Sequence, residues 1–113
     1  MNQGEIWDIN LGRKKSADRQ GRCPVIIIND DTIGIIPSRV IAPLMEWQDK
    51  FENAIWMVRI NPNTENNLGR ISVVDVLQLY TIPTKHFIKK IGILTARELQ
   101  QVKNAVKAII NAD

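Results

Sequence analysis

The sequence predicts a mainly β fold closed by a C-terminal α-helix, and three observations carry that prediction. Short apolar stretches of strand length, Glu5 to Asn10 and Val25 to Ile28 foremost, fill the first two thirds of the chain. Clusters of turn-forming residues separate them, most densely from Ile60 to Gly69. After Leu94 the apolar period changes from that of a strand to that of a helix.

The elements follow in order. In Glu5 to Asn10, Ile6 falls on one face while Trp7 and Ile9 share the other. Pro24 opens Val25–Ile28, a β-branched run suited to burial on both faces, because proline is tolerated at the first residue of a strand. Arg39 to Leu44, Ala54 to Ile60, Ile71 to Val76 and Ile88 to Leu94 supply further strands. Thr95-Ala96-Arg97-Glu98 fits a capping box, and Leu99, Val102, Val106, Ile109 and Ile110 then share one helical face. A strongly bent antiparallel sheet or small barrel with a packed helix satisfies this pattern.

Bulk properties narrow the class. The 113 residues form one expected domain, 1–113, able to bury about two-thirds of its unfolded surface without disulfide or metal. One cysteine, Cys23, allows no internal disulfide, which points to a reducing, cytoplasmic setting. No apolar run approaches a membrane span, and no basic-then-apolar leader precedes the first strand, so neither membrane nor secretion is expected. The net charge is only +3. Gly12 to Arg22, however, holds Arg13, Lys14, Lys15, Arg19 and Arg22 against Asp18 alone, a local excess of +4 between two strands. Positive charge concentrated in this way is a docking place for a polyanion.

Gly4-Glu5-Ile6-Trp7, Gly21 with Pro24-Val25-Ile26-Ile27-Ile28-Asn29-Asp30, Val40-Ile41-Ala42-Pro43-Leu44 and Ser72-Val73-Val74 occur in an order that resembles the MazF/PemK toxins of bacterial toxin–antitoxin systems. Gln78, Thr81-Ile82 and the terminal helix extend the resemblance over about residues 3 to 110. It implies a small SH3-like barrel, a homodimer, and cleavage of single-stranded RNA without metal or other cofactor. It also implies an antitoxin whose disordered acidic tail folds into the RNA groove. The related CcdB-type toxins share the barrel and bind DNA gyrase instead; no residue of this chain favours that activity.

The chain departs from the family where the chemistry is expected. An arginine usually precedes the proline of the second strand, where this chain has Cys23, with Arg22 one place earlier. A threonine or serine commonly follows the A-P-L strand, where this chain has Met45. Leu77 and Tyr80 occupy positions around Gln78 that often carry an acid and an arginine.

Cleavage of this type uses the ribose 2′-hydroxyl as nucleophile, so the protein must orient the strand, move two protons and stabilise phosphorane charge. Arginine suits the last task, its planar fork reaching two phosphate oxygens. Arg22 is therefore the candidate catalytic residue. Strand alternation sets it on the face opposite Cys23, and a bulge at Gly21 would turn it back. A solvated arginine is the plain alternative.

By resemblance Asp18, Arg19, Gln20, Asn29, Asp30 and Gln78 are candidate RNA contacts, against plain loop, turn and surface roles for the same residues. Cys23 reads as a small packed residue, Met45 as core or groove rim, and His86 as a solvated or phosphate-touching side chain. Trp47 and Trp56 suit either base stacking or core and dimer packing. A basic loop without the usual catalytic groups also fits a protein that binds RNA or a partner without cleaving.

Overall fold

A computed structural model describes residues 1–10, 22–33 and 35–111. Among the described residues, seven antiparallel strands precede one helix: β1 (Glu5–Asn10), β2 (Arg22–Ile27), β3 (Ser38–Glu46), β4 (Met57–Ile60), β5 (Ser72–Asp75), β6 (Tyr80–Pro83), β7 (Phe87–Ile93) and α1 (Ala96–Ile109). Hydrogen-bonded neighbours follow the order β4-β5-β3-β2-β1-β7, with β6 paired to β3. The nine-residue β3 is the hinge of the sheet. Its first half pairs with β2 and β6, and Leu44 to Glu46 pair with β5. Among the described residues the ladders run from β4 to β7 without joining into a ring, so the barrel expectation becomes an open, bent sheet wrapped on a helix.

Alternation along the strands builds two apolar clusters. Ile6, Ile26, Ala42, Leu44, Val58, Ile60, Val74 and Val76 point inward to Val102 and Ala105 of α1, with Leu99, Val106 and Ile109 packed at the margin. Ile9, Val25, Ile27, Ile41 and Ile82 form the second cluster on the other face, flanked by Trp7, Cys23 and Phe87. The predicted split of Ile6 from Trp7 and Ile9 is thus realised. The Trp7 and Phe87 rings meet edge to face, centroids 5.7 Å apart.

The helix begins where the capping box places it. Thr95 Oγ1 accepts from the Glu98 N–H at 3.1 Å, and the Glu98 carboxylate accepts from the Thr95 N–H at 2.9 Å. Two expected strands are shorter than read. Residues 49–56 make a 3₁₀ turn and successive tight turns, so β4 starts only at Met57. Asp75 caps a second 3₁₀ turn, Val76–Gln78, through the Leu77 N–H, which ends β5.

The turn-rich segment 61–69 is a surface loop, as read, organised by the fully buried Asn66. Its side chain accepts from the Asn63 and Leu68 N–H groups and donates to the Asn61 carbonyl. No helix among the described residues is long and apolar enough to cross a membrane.

Candidate functional site

Arg22 is the first residue of β2, aligned with Asn10, and Pro24 lies opposite Asp8. The β1–β2 register runs without a shift from Ile6↔Ile26 to Asn10↔Arg22, so the described part of β2 carries no bulge there. Alternation therefore sets Arg22 and Pro24 on the face of Asp8 and Cys23 on the opposite one. Pairing places the side chains of Asp8, Arg22 and Pro24 along one wall of an open groove of about 780 Å³. The other wall comes from Leu44, Met45 and Glu46 of β3 and from Leu68, Gly69, Arg70 and Ser72.

Two guanidiniums and two carboxylates face this groove. Arg22 Nε stands 3.6 Å from Asp8 Oδ2, close enough for charge attraction but beyond a good hydrogen bond. Both side chains are partly exposed, so the attraction is screened and the Arg22 fork stays accessible to an incoming oxyanion. Across the groove, Arg70 Nη1 bonds Glu46 Oε2 at 3.1 Å in a mostly exposed pair. A half-balanced cation can hold a phosphate while the carboxylate beside it accepts a proton. Asp8, Glu46, Arg70 and Ser72 are not among the candidate site residues read from the sequence. Asp8 alone carries a readable signal, its period-two spacing from Ile6 in β1.

The positions where the resemblance leads one to expect an arginine and a hydroxyl present a different surface. Cys23 packs against the second apolar cluster. Burial pushes the Tyr80 hydroxyl above its ordinary pKa, reinforced by the nearby Cys23 thiol, so Tyr80 stays neutral. Met45 reaches the groove edge and offers no proton.

The remaining candidates scatter. Asp18, Arg19 and Gln20 lie outside the described residues, as do Arg13, Lys14 and Lys15. Asn29 and Asp30 sit beyond the far end of β2, about 25 Å along the chain from Arg22 at the usual strand rise. There Asn29 Oδ1 accepts from the Val40 N–H at 2.8 Å, and Asp30 Oδ1 accepts from the Thr32 N–H at 2.8 Å. The backbone and side-chain hydrogen bonds from Thr32 hold the exposed Asp30 carboxyl below its ordinary pKa. Both residues shape the turn into the 3₁₀ segment Asp31–Ile33.

Gln78 is exposed and donates to Asp75 Oδ2 at 2.7 Å. His86 Nδ1 lies 3.2 Å from the Asn10 carbonyl, at the end of β1. Trp56 is partly exposed, whereas Trp47 lies under the Arg59 guanidinium, 5.0 Å from the ring centre, and edge-on to Phe51.

With strand order, groove and terminal helix established, comparison with known proteins supplies the class. Residues 2–110 match the family model of the PemK-like, MazF-like toxins of type II toxin–antitoxin systems. The chain therefore belongs to that toxin family. Solved structures share the fold at low identity. A mycobacterial endoribonuclease in complex with its cognate antitoxin superposes with a TM-score of 0.80 at 14% identity, covering 100% of this chain and 97% of that one. The Mycobacterium tuberculosis toxin MazF-mt6 gives 0.76 at 20% identity, covering 96% and 98%. MazF from Deinococcus radiodurans gives 0.72 at 14%, covering 98% and 96%. No curated protein sequence matches the chain.

Proposed function

We propose that this toxin is a metal-independent endoribonuclease that cleaves single-stranded RNA in the cytoplasm, as a homodimer restrained by an acidic antitoxin. The observation that carries this reading is the accessible Arg22 guanidinium beside the Asp8 carboxylate in an open groove, within a chain of this family. The likeness in fold to an endoribonuclease solved with its antitoxin supports it.

In the proposed reaction the ribose 2′-oxygen attacks the adjacent phosphorus, and the 5′-oxygen leaves as a cyclic phosphate forms. Arg22 donates to the phosphoryl oxygens as charge grows on them, the role its fork and permanent charge suit. Asp8 takes the 2′-hydroxyl proton, and the departing 5′-oxygen takes one from water. One lost charge-stabilising donor lowers such a rate by about 10²–10³-fold. Asp18, Arg19, Gln20, Asn29, Asp30 and Gln78 are proposed RNA contacts, with those of the turn and of Gln78 depending on release from the hydrogen bonds that now hold them.

A second reading has its own support. The family's arginine and hydroxyl positions hold the packed Cys23 and the apolar Met45. A toxin-fold protein that grips RNA or an antitoxin without cutting fits that surface.

One experiment separates the two. Purified protein is incubated with long single-stranded RNA in EDTA, and the fragments are mapped for cyclic-phosphate ends. Discrete fragments from the native chain, with at least tenfold slower cutting by Arg22→Ala, support the nuclease. Intact RNA across varied sequences, with binding that weakens steeply in salt, supports the non-cleaving reading.

A further inference from the structure

The groove opens because two strands part. β2 and β3 pair only at Val25↔Pro43, Ile26↔Ala42 and Ile27↔Ile41. Beyond Pro43, β3 turns to β5, with Leu44 opposite Val74 and Glu46 opposite Ser72. Pro24, which has no N–H to give to a ladder, stands at the fork. Counted on in the same register, Leu44 falls level with Pro24 and Glu46 with Arg22, on the face that also carries Asp8. The fork therefore has an apolar floor of Pro24 and the buried Leu44, flanked by Leu68. Its mouth is charged, with Arg22 on one side and Glu46 on the other.

Glu46 is held at this mouth by one partner. Arg70 Nη1 donates to Glu46 Oε2 at 3.1 Å, and no other hydrogen bond or ion pair engages that carboxylate among the described residues. A carboxylate has about four acceptor positions, so the bond from Arg70 leaves Oε1 whole and part of Oε2 available. Gly69 borders the same space, where an added Cβ would meet nothing within 4 Å. The pair is mostly exposed and adds little to stability, so its place in the groove is the feature that calls for a role.

We infer that Glu46 is the base-reading residue of this groove and that it selects guanine. A guanine beside the phosphate on Arg22 lays its flat face against Pro24, Leu44 and Leu68 and donates from N1–H and N2–H to the Glu46 carboxylate. The inference rests on the ribonuclease reading and adds a sequence preference to it. The groove, about 780 Å³, has room for one nucleotide. An ionised carboxylate only accepts, so it needs a base edge with donors side by side. Guanine alone has two adjacent donors on its Watson–Crick edge. Adenine and cytosine set an amino group beside an acceptor nitrogen, and uracil sets its one N–H between two carbonyls. Each of these turns a lone pair toward a carboxylate oxygen.

The test measures, by anisotropy over a range of salt, binding of fluorescein-labelled 2′-O-methyl oligouridines that carry one central guanosine, adenosine, cytidine, inosine or uridine. These strands have no free 2′-hydroxyl to attack. Native protein should bind the guanosine strand about tenfold more tightly than the adenosine, cytidine and uridine strands. Inosine, which lacks the N2 amino group, should fall between. Glu46→Gln, first checked for an unchanged melting temperature, should erase the preference and keep the native salt dependence, because no phosphate contact is lost. In the fragment assay, native cuts should carry guanine at one of the two flanking nucleotides, and Glu46→Gln should lose that bias.

If native protein binds the five strands equally while still cutting RNA, Glu46 reads no base and the ribonuclease reading stands alone. If the guanosine preference survives in Glu46→Gln, or the variant shifts affinity for all five strands by one factor, the inference fails. If native protein binds no RNA and cuts none in the fragment assay, both readings fail together.

Discussion

The Arg22 guanidinium is balanced by Asp8 at 3.6 Å rather than bonded to it, so the groove holds a cation attracted to its neighbour but not consumed by it. Replacing Asp8 with asparagine removes that competitor for Arg22. RNA affinity at low salt should rise about fivefold, the equivalent of roughly 1 kcal/mol for a partly exposed pair. Cleavage should fall, because the proton acceptor proposed for the 2′-hydroxyl is gone. Binding and cleavage moving in opposite directions is the signature. If both stay at native values, Asp8 has no part in the chemistry.

Glu5 is a buried acid with several donors around it. Burial pushes its carboxyl pKa up, but the Trp7 indole N–H at 2.8 Å, the Asn2 backbone, Lys90 and the N-terminal amino group outweigh that and hold it below the ordinary value. A folded-state pKa below the unfolded one contributes stability above the unfolded value of about 4.3, and that contribution disappears as pH falls through the folded value. Glu5→Gln should lower stability by about 1 kcal/mol at pH 7 and less at pH 3, giving a flatter acid limb. Denaturant melts at the two pH values check this, and parallel acid limbs for the two proteins would contradict it.

Asn66 and Gly92 meet at close range. A Cβ on Gly92 would stand 2.5 Å from the Glu65 carbonyl oxygen and 2.6 Å from that of Asn66, with backbone on the far side of the contact. Gly92→Ala should therefore destabilise by about 2–3 kcal/mol through forced separation of β7 from the loop. Asn66→Ala strands the Asn63 and Leu68 N–H groups and the Asn61 carbonyl, and should cost a similar 2–3 kcal/mol. Since both act on one contact, the double variant should fall short of the summed losses.

Thr95→Ala removes the acceptor for the Glu98 N–H at the start of α1. The expected loss is about 1 kcal/mol, with Thr95→Ser close to native because its hydroxyl can accept the same bond. Thermal melts of the three proteins decide it.

What the sequence revealed followed from periodicity and capping. Ile6 against Trp7 and Ile9, the turn-rich loop and the Thr95–Glu98 start were readable because each depends on neighbours within a few residues. β6 was not read as a strand. Tyr80-Thr81-Ile82-Pro83 is only four residues long, follows a 3₁₀ turn, and is fixed as a strand by pairing with distant β3. The candidate site was legible only at Arg22, whose face follows from alternation once β2 is known to begin there. Asp8, Glu46 and Arg70 converge on it from separate strands and a loop, a meeting that no local spacing encodes. Asn29 and Asp30 resemble site residues in sequence yet spend their side chains on the turn they occupy.

The loop on Gly92 also determines what the outer margin of β7 can do. Glu65 accepts from the Ile93 N–H at 3.1 Å and Asn67 Nδ2 donates to the Ile91 carbonyl at 2.9 Å, so polar groups that a foreign strand would seek are already engaged. At the opposite margin β4 offers Met57, Val58 and Ile60, interrupted by the charge of Arg59. Unwanted stacking of one molecule upon another is thus discouraged by a covering loop at one end and by a single cation at the other.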